Sequence, residues 1–151
     1  MIKYLLPLLA LHLGFQSIVL ADALPDTDNG LIISNVWVRE APPGAAMLAA
    51  YLTIENQSDK GRELEFVVSK YFSHVMMHKS EVIDGVAKML HQDKLSIPAH
   101  GKLELKPGGF HLMMPAPEKA LEAGDTVYFR LYFANGESLP VKAIVKRAGI
   151  P

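Results

Sequence analysis

Two histidines and two methionines in the middle of this chain have the residue types and spacing of a metal site. His78, Met89, His111 and Met113 are separated by ten, twenty-one and one intervening residues. Thioether sulfur is polarizable and uncharged, and together with imidazole it favours copper(I) over zinc, magnesium or calcium. The chain has no cysteine, so such a site contains no thiolate. The sequence therefore predicts a copper(I) site formed by these four side chains.

A hairpin is predicted to bring the first two of these side chains together. Asp84-Gly85 is a strong signal for a type I′ turn, because both central residues of that turn need positive φ. With this turn, Ser80 lies opposite Met89. His78 then lies opposite His91 and is a diagonal neighbour of Met89 on the same face, with about 7–8 Å between the two backbones. The prediction depends on register, since a loop one residue longer would put the two side chains on opposite faces.

The other two side chains are predicted to share one further strand. Pro107-Gly108-Gly109 is typical of a turn, and it leads directly into the short run Phe110–Met113. Alternation with period two places His111 and Met113 on one face of that strand. One hairpin and one strand could thus supply two ligands each.

The remaining histidines and methionines of this region have other predicted roles. Met76 has the parity of His78 and could be a spare ligand, whereas Met77 has the opposite parity and is predicted to pack inward. His100 is predicted to be a turn residue, and Met47 lies outside the cluster. Ligand and structural roles both stay open for three further side chains, Met114, His74 and His91.

The ligand spacing and the run Pro107–Met113 resemble the periplasmic PCu(A)C copper-chaperone family. The runs Asn35–Gly44 and Ala49–Asn56 are also similar to the opening strands of that family, so the resemblance covers nearly the whole mature chain. One departure is present, because members often carry methionine just after the first histidine. Here Lys79 follows, and Met76-Met77 precede.

The resemblance implies a fold, a ligand set and a role. The implied fold is all-β, a cupredoxin-like Greek-key β-sandwich. The implied ligands of copper(I) are His78, Met89, His111 and Met113. The presence of Lys79 after the first histidine leaves this set of four ligands intact. The implied role is the supply of copper to the copper A centre of cytochrome c oxidase, with oxidase subunit II or another assembly chaperone as the acceptor.

The rest of the chain has the patterning of short β-strands. Apolar and polar residues alternate over 50–55, 102–106 and 127–133, which predicts half-buried strands. Pro117 and Gly124 could begin and end a brief helical turn. Clusters of turn-forming residues separate the strands, at 42–44, 56–61, 98–101 and 134–136. Short strands at these intervals predict a β-sandwich.

The N-terminus has the features of a secretory signal peptide over residues 1–21. A short positive start precedes an apolar run over 4–15, which is too short and too interrupted for a membrane span of about 20 apolar residues. We expect cleavage after Ala21, with Ala23 as the alternative. The product would be a single copper-binding domain, residues 22–151, located in the periplasm.

Composition and charge exclude several other classes of protein. The formal net charge of −1 includes Lys3, the one charged residue of the predicted signal, so the mature charge is −2. Nothing resembles the basic face that nucleic-acid binding requires. Without cysteine the chain has no disulfide, no thiolate nucleophile, no blue-copper site with two histidines and one cysteine, and no residue for a lipid anchor. We expect a monomer that is not an enzyme and has no membrane span after cleavage.

Three functions remain compatible with the sequence. The first is copper delivery by ligand exchange, since a thiolate site would bind copper(I) more strongly but would risk oxidation outside the cytoplasm. The second is copper storage or resistance in the periplasm. The third is a β-sandwich interaction module that binds no metal, which copper(I) titration would distinguish from the other two.

Overall fold

The alternating segments fold into ten β-strands, and a computed structural model describes them through residues 30–117 and 119–147. The predicted signal peptide and both cleavage positions lie outside these residues. Among the described residues there is no helix that could cross a membrane. The strands are β1 (Leu31–Arg39), β2 (Met47–Asn56), β3 (Arg62–Val68), β4 (Met76–Ile83), β5 (Val86–His91), β6 (Leu95–Ile97), β7 (Lys102–Leu105), β8 (Phe110–Pro115), β9 (Thr126–Phe133) and β10 (Ser138–Lys146).

The strands form one curled sheet in the order β5-β4-β8-β7-β2-β1-β10-β9-β3-β6, with β8 also paired to β2. Most neighbours are antiparallel, whereas the pairs β1–β10 and β7–β8 are parallel. Neighbours in the sheet are often distant in sequence, as a Greek-key arrangement requires. The predicted all-β, cupredoxin-like β-sandwich is confirmed.

A single hydrophobic core lies inside the curl of the sheet. Strand β9 shows how the sequence builds it, because its side chains alternate between core and solvent with period two. Tyr128 and Arg130 point outward. The inward-facing side chains of this strand are all buried, namely Val127, Phe129, Leu131 and Phe133. Each such burial contributes about 1.5–3 kcal/mol relative to an exposed side chain, which a chain without disulfides needs.

One buried polar side chain, Asn56, joins two turns at the end of β2. Its Nδ2 donates hydrogen bonds to the carbonyl oxygens of Lys60 at 2.7 Å and of Pro98 at 3.0 Å. Its Oδ1 accepts from the backbone N–H of Ser58 at 3.1 Å and from the Ser58 hydroxyl at 2.7 Å. Because the side chain is only 1% exposed, water cannot replace these bonds.

Asn56→Ala is expected to lower the free energy of unfolding by about 1–3 kcal/mol, because it leaves buried backbone groups without partners. Urea unfolding of the metal-free protein measures the loss. The neighbouring exposed side chain provides the control, and Gln57→Ala should change the free energy by less than about 0.5 kcal/mol. Equal values for the two variants would contradict the assigned role of Asn56.

The brief helical turn predicted between Pro117 and Gly124 is wrong. Apart from Glu118, which lies outside the described residues, this segment is irregular, with a bend at Lys119 and a turn at Ala123-Gly124. Side chains outside the segment accept hydrogen bonds from two of its backbone N–H groups. Asp125 Oδ2 accepts from the N–H of Glu122 at 2.9 Å, and Glu40 Oε1 accepts from that of Ala123 at 2.8 Å. These two N–H groups therefore have partners without intrahelical bonds.

Candidate metal centre

The hairpin β4–β5 has the predicted turn and the predicted register. Asp84 and Gly85 adopt φ values of 53° and 75°, as a type I′ turn requires. His78 pairs directly with His91, and Met89 lies two residues nearer the turn on the same face. The first two predicted ligands are thus placed together as expected.

Strand β8 lies on the other side of β4 and brings in the second pair. The turn before it is closed by a hydrogen bond of 3.0 Å from the Gly109 N–H to the carbonyl of Lys106. His78 pairs with His111 in antiparallel register, and their ring centroids are 6.0 Å apart. Met113 pairs with Met76 two residues further along. Since directly paired residues share a face, all four predicted ligands lie on one face of three adjacent strands, β5, β4 and β8.

Both predicted histidine ligands, His78 and His111, have a nitrogen that is available to a metal. Nδ1 of His111 lies 3.1 Å from the carbonyl oxygen of Gly109. In the tautomer that donates this bond, Nε2 keeps its lone pair, which is how proteins commonly orient a histidine ligand. Nδ1 of His78 is buried and has no hydrogen-bond partner within the described part of the chain. Such an orphaned polar atom is rare in proteins, and this face therefore fits a metal.

Electrostatics keep His78 in the form that can bind a metal. Burial lowers the pKa of His78 below its ordinary value of 6.5, and charge repulsion from His91 and then from His111 lowers it further. The ring of His91 lies edge-on, with its centroid 5.4 Å away. His78 is therefore neutral at neutral pH, as a ligating imidazole must be.

The lysine that follows His78 is kept away from this face. Lys79 points to the opposite side of the sheet, where it forms an ion pair with Glu81. Its Nζ also lies 5.4 Å from the centroid of the Phe110 ring. The departure from the family pattern therefore adds no positive charge to the face that carries the histidines and methionines.

The methionines of this region divide into two groups. Met89 is 50% exposed on the edge strand β5, while Met113 and Met76 are half-buried on the same face as His78. Met77 and Met114 are 4% and 0% exposed and belong to the hydrophobic core. The predicted inward packing of Met77 is confirmed, and Met114 has a structural position. Met76 faces Met113 and is placed where a spare thioether could act.

Two further histidines lie outside the site. His100 adopts a positive φ of 52° in its turn, and its Nε2 lies 2.7 Å from Asp59 Oδ1. The prediction that His100 is a turn residue is confirmed. His74 is exposed, with its Nδ1 3.1 Å from the hydroxyl of Ser73. Among the described residues, no three histidine, cysteine, aspartate or glutamate side chains are arranged to hold a metal, so a metal site here requires the thioethers.

A cleft of about 400 Å³ opens beside the thioethers. Its walls come from β1, β2, β4, β5 and β8 and from the loops around them, and they include Arg39, Met47, Tyr51, Met89, His111 and Met113. Met47 was predicted to lie outside the cluster, and this prediction is wrong. The reason is that β2 pairs with β8, with Ala49 opposite Met113. This pairing joins segments far apart in the sequence, and no local pattern indicates it.

Sequence comparisons connect the chain to known proteins. Residues 31–145 match the family model described as "LpqE-like". A curated relative from Leifsonia xyli subsp. xyli (strain CTCB07), named "Putative lipoprotein Lxx21020", is 30% identical over 119 residues, which are 78% of this chain and 70% of the relative.

Structural comparisons identify the same fold in copper proteins. The solution structure of CuI-DR1885 from Deinococcus radiodurans is 32% identical, has a TM-score of 0.60, and matches 85% of this chain and 83% of that one. The copper-bound PCuAC domain from PmoF2 is 22% identical, has a TM-score of 0.65, and matches 78% of this chain and 93% of that domain. The similarity to PCuAC domains that the ligand spacing predicts is confirmed.

Proposed function

Because this chain belongs to the LpqE-like family and has the fold of PCuAC domains, we propose that it is a copper chaperone of the periplasm. It binds one copper(I) ion through His78, Met89, His111 and Met113 and passes the ion on by ligand exchange. The observation that carries the proposal is the register of β5, β4 and β8, which places two available imidazoles and two thioethers on one face.

The chemistry of the donors supports copper(I) as the cargo. All four side chains are uncharged when they bind, and two of them are soft sulfur ligands, which favour copper(I) over harder divalent ions. The described residues offer no group of oxygen, nitrogen and thiolate ligands that could hold a metal without these thioethers. The absence of cysteine from the chain suits an oxidising compartment, in which thiolates are converted to disulfides.

The position of the site supports delivery to a partner. Every residue of β5 is exposed, and this strand, which carries Met89, forms one edge of the sheet. An acceptor can therefore contact the ion while the donor still holds it. Thiolates bind copper(I) more strongly than thioethers do, so an acceptor with thiolates draws the ion away. We propose the copper A centre of cytochrome c oxidase subunit II, or another assembly chaperone, as this acceptor.

Anaerobic titration against a copper(I) chelator is expected to give one ion per chain at pH 7.5. The affinity should fall below about pH 6, because protons then compete with copper(I) for the ligating imidazoles, whereas thioethers do not titrate in this range. Because the pKa of His78 is lowered, its share of this loss should come only at more acidic pH. The titration at a series of pH values measures both the stoichiometry and the fall.

His91→Gln is the informative companion variant. It removes one of the two histidines whose charge repulsion lowers the pKa of His78, so the share of the loss that comes from protonation of His78 should appear at a less acidic pH than in the wild type. An affinity that stays constant from pH 7.5 to pH 5 would mean that imidazole does not hold the ion. Failure to bind copper(I) at pH 7.5 would reject the proposed function itself.

A further inference from the structure

Strand β2 brings one more thioether, that of Met47, to the face that carries the proposed ligands. Met47 pairs with Pro115 of β8, and Ala49 pairs with Met113. Met47 and Met113 are therefore diagonal neighbours on one face, with about 7–8 Å between their backbones. Methionine side chains are long and flexible enough to meet across that distance.

The donors of this face are not distributed evenly around the cleft. Met47, Met89, Met113 and His111 all line it, whereas His78 does not. His78 instead lies on β4 between His91 and His111, with its Nδ1 buried. The cleft therefore offers three thioethers and one imidazole, a complete set of four uncharged donors for a soft monovalent ion.

We propose that Met47 is a further copper(I) ligand, which replaces His78 when the ion moves into the cleft. A bond forms between copper and the Met47 sulfur, and the bond to the His78 nitrogen breaks, while Met89, His111 and Met113 stay bound. The step involves no electron transfer, so copper remains in the +1 state and His78 remains neutral. It keeps four ligands on the ion. The inference rests on the proposed function, because it assumes copper(I) at this face.

Such an exchange moves the ion from a partly covered position to a solvent-accessible one. Nδ1 of His78 is buried, whereas the cleft opens to solvent beside the edge strand that carries Met89. An acceptor that reaches the cleft contacts copper held by weakly binding thioethers and one imidazole. Met47 thereby prepares the ion for release without leaving it with fewer ligands.

Two backgrounds, wild type and His78→Gln, test the inference by chelator competition with copper(I). If Met47 and His78 are alternatives, Met47→Leu alone should lower the affinity less than about threefold, because His78 remains. In the His78→Gln background the ion depends on Met47, and adding Met47→Leu should lower the affinity at least about tenfold. Met77→Leu is the matched control, since Met77 belongs to the core, and it should have no effect on affinity in either background.

Methyl NMR of the full chain labelled with [methyl-13C]methionine gives an independent readout. On addition of copper(I) to His78→Gln, the methyl signals of Met47, Met89 and Met113 should shift, while that of Met77 should not. A small, equal effect of Met47→Leu in both backgrounds, an unshifted Met47 methyl, or loss of all copper(I) binding in His78→Gln would each overturn the inference. If the wild type still bound copper(I) in any of these cases, the proposed function would be unaffected.

Discussion

Replacement of Met89 or Met113 by leucine is expected to lower copper(I) affinity at least about tenfold, since even loss of an outer-shell partner of a metal site costs 10- to 100-fold. The same replacements should change the free energy of unfolding by less than about 1.5 kcal/mol, because leucine has nearly the volume and apolarity of methionine. Chelator competition and urea unfolding of each variant measure the two quantities separately.

Met114→Leu is the control for this experiment. Met114 follows Met113 directly but points to the other side of β8, where it is fully buried in the core. Its replacement should affect stability and leave copper(I) affinity unchanged. Met47 would be a poor control, because it lines the cleft. If Met114→Leu and Met113→Leu reduced affinity equally, the assignment of Met113 as a ligand would be wrong.

Cells that lack this protein are expected to lose cytochrome c oxidase activity when copper is scarce and to regain it when copper is added. The reason is mass action, since a higher copper concentration can replace a carrier but cannot replace a structural subunit. Oxidase activity in membranes from cells grown at low and high copper measures the effect. The wild-type gene should restore activity at low copper. A folded variant that combines His111→Gln with Met113→Leu should not.

A protein for storage or resistance would give the opposite pattern. Its loss would make cells sensitive to excess copper, and oxidase activity under copper limitation would remain normal. That combination would exclude copper delivery and favour copper storage or resistance. If the variant with both His111→Gln and Met113→Leu restored oxidase activity, the cellular role would not depend on the proposed metal site.

The parts of the site that could be predicted from the sequence depend on local geometry. Asp84-Gly85 sets the register of the hairpin, because two residues with positive φ leave one way to pair the strands. That register alone places Met89 on the face of His78. Parity within one short strand likewise places His111 beside Met113.

The parts that could not be predicted depend on pairing between distant segments. Met47 reaches the site only because β2 lies beside β8. Where a helical turn was predicted, the backbone N–H of Ala123 instead donates to Glu40, which lies 83 residues earlier in the chain. The lowered pKa of His78 likewise comes from its burial and from its position between two other histidines. None of these contacts follows from a periodicity or a turn signal.

The proposed ligands on β8 and β5 lie on strands that differ in how firmly the sheet holds them, and we expect this difference to set the order in which their bonds to copper break. His111 is 6% exposed on a strand that has neighbours on both sides. Met89 lies on a fully exposed edge strand, the kind of element that opens locally at low cost. Once the ion lies in the cleft, we therefore expect its bond to Met89 to break before its bond to His111. Substitutions in the hairpin that leave its ligands in place should then change mainly how quickly copper(I) leaves.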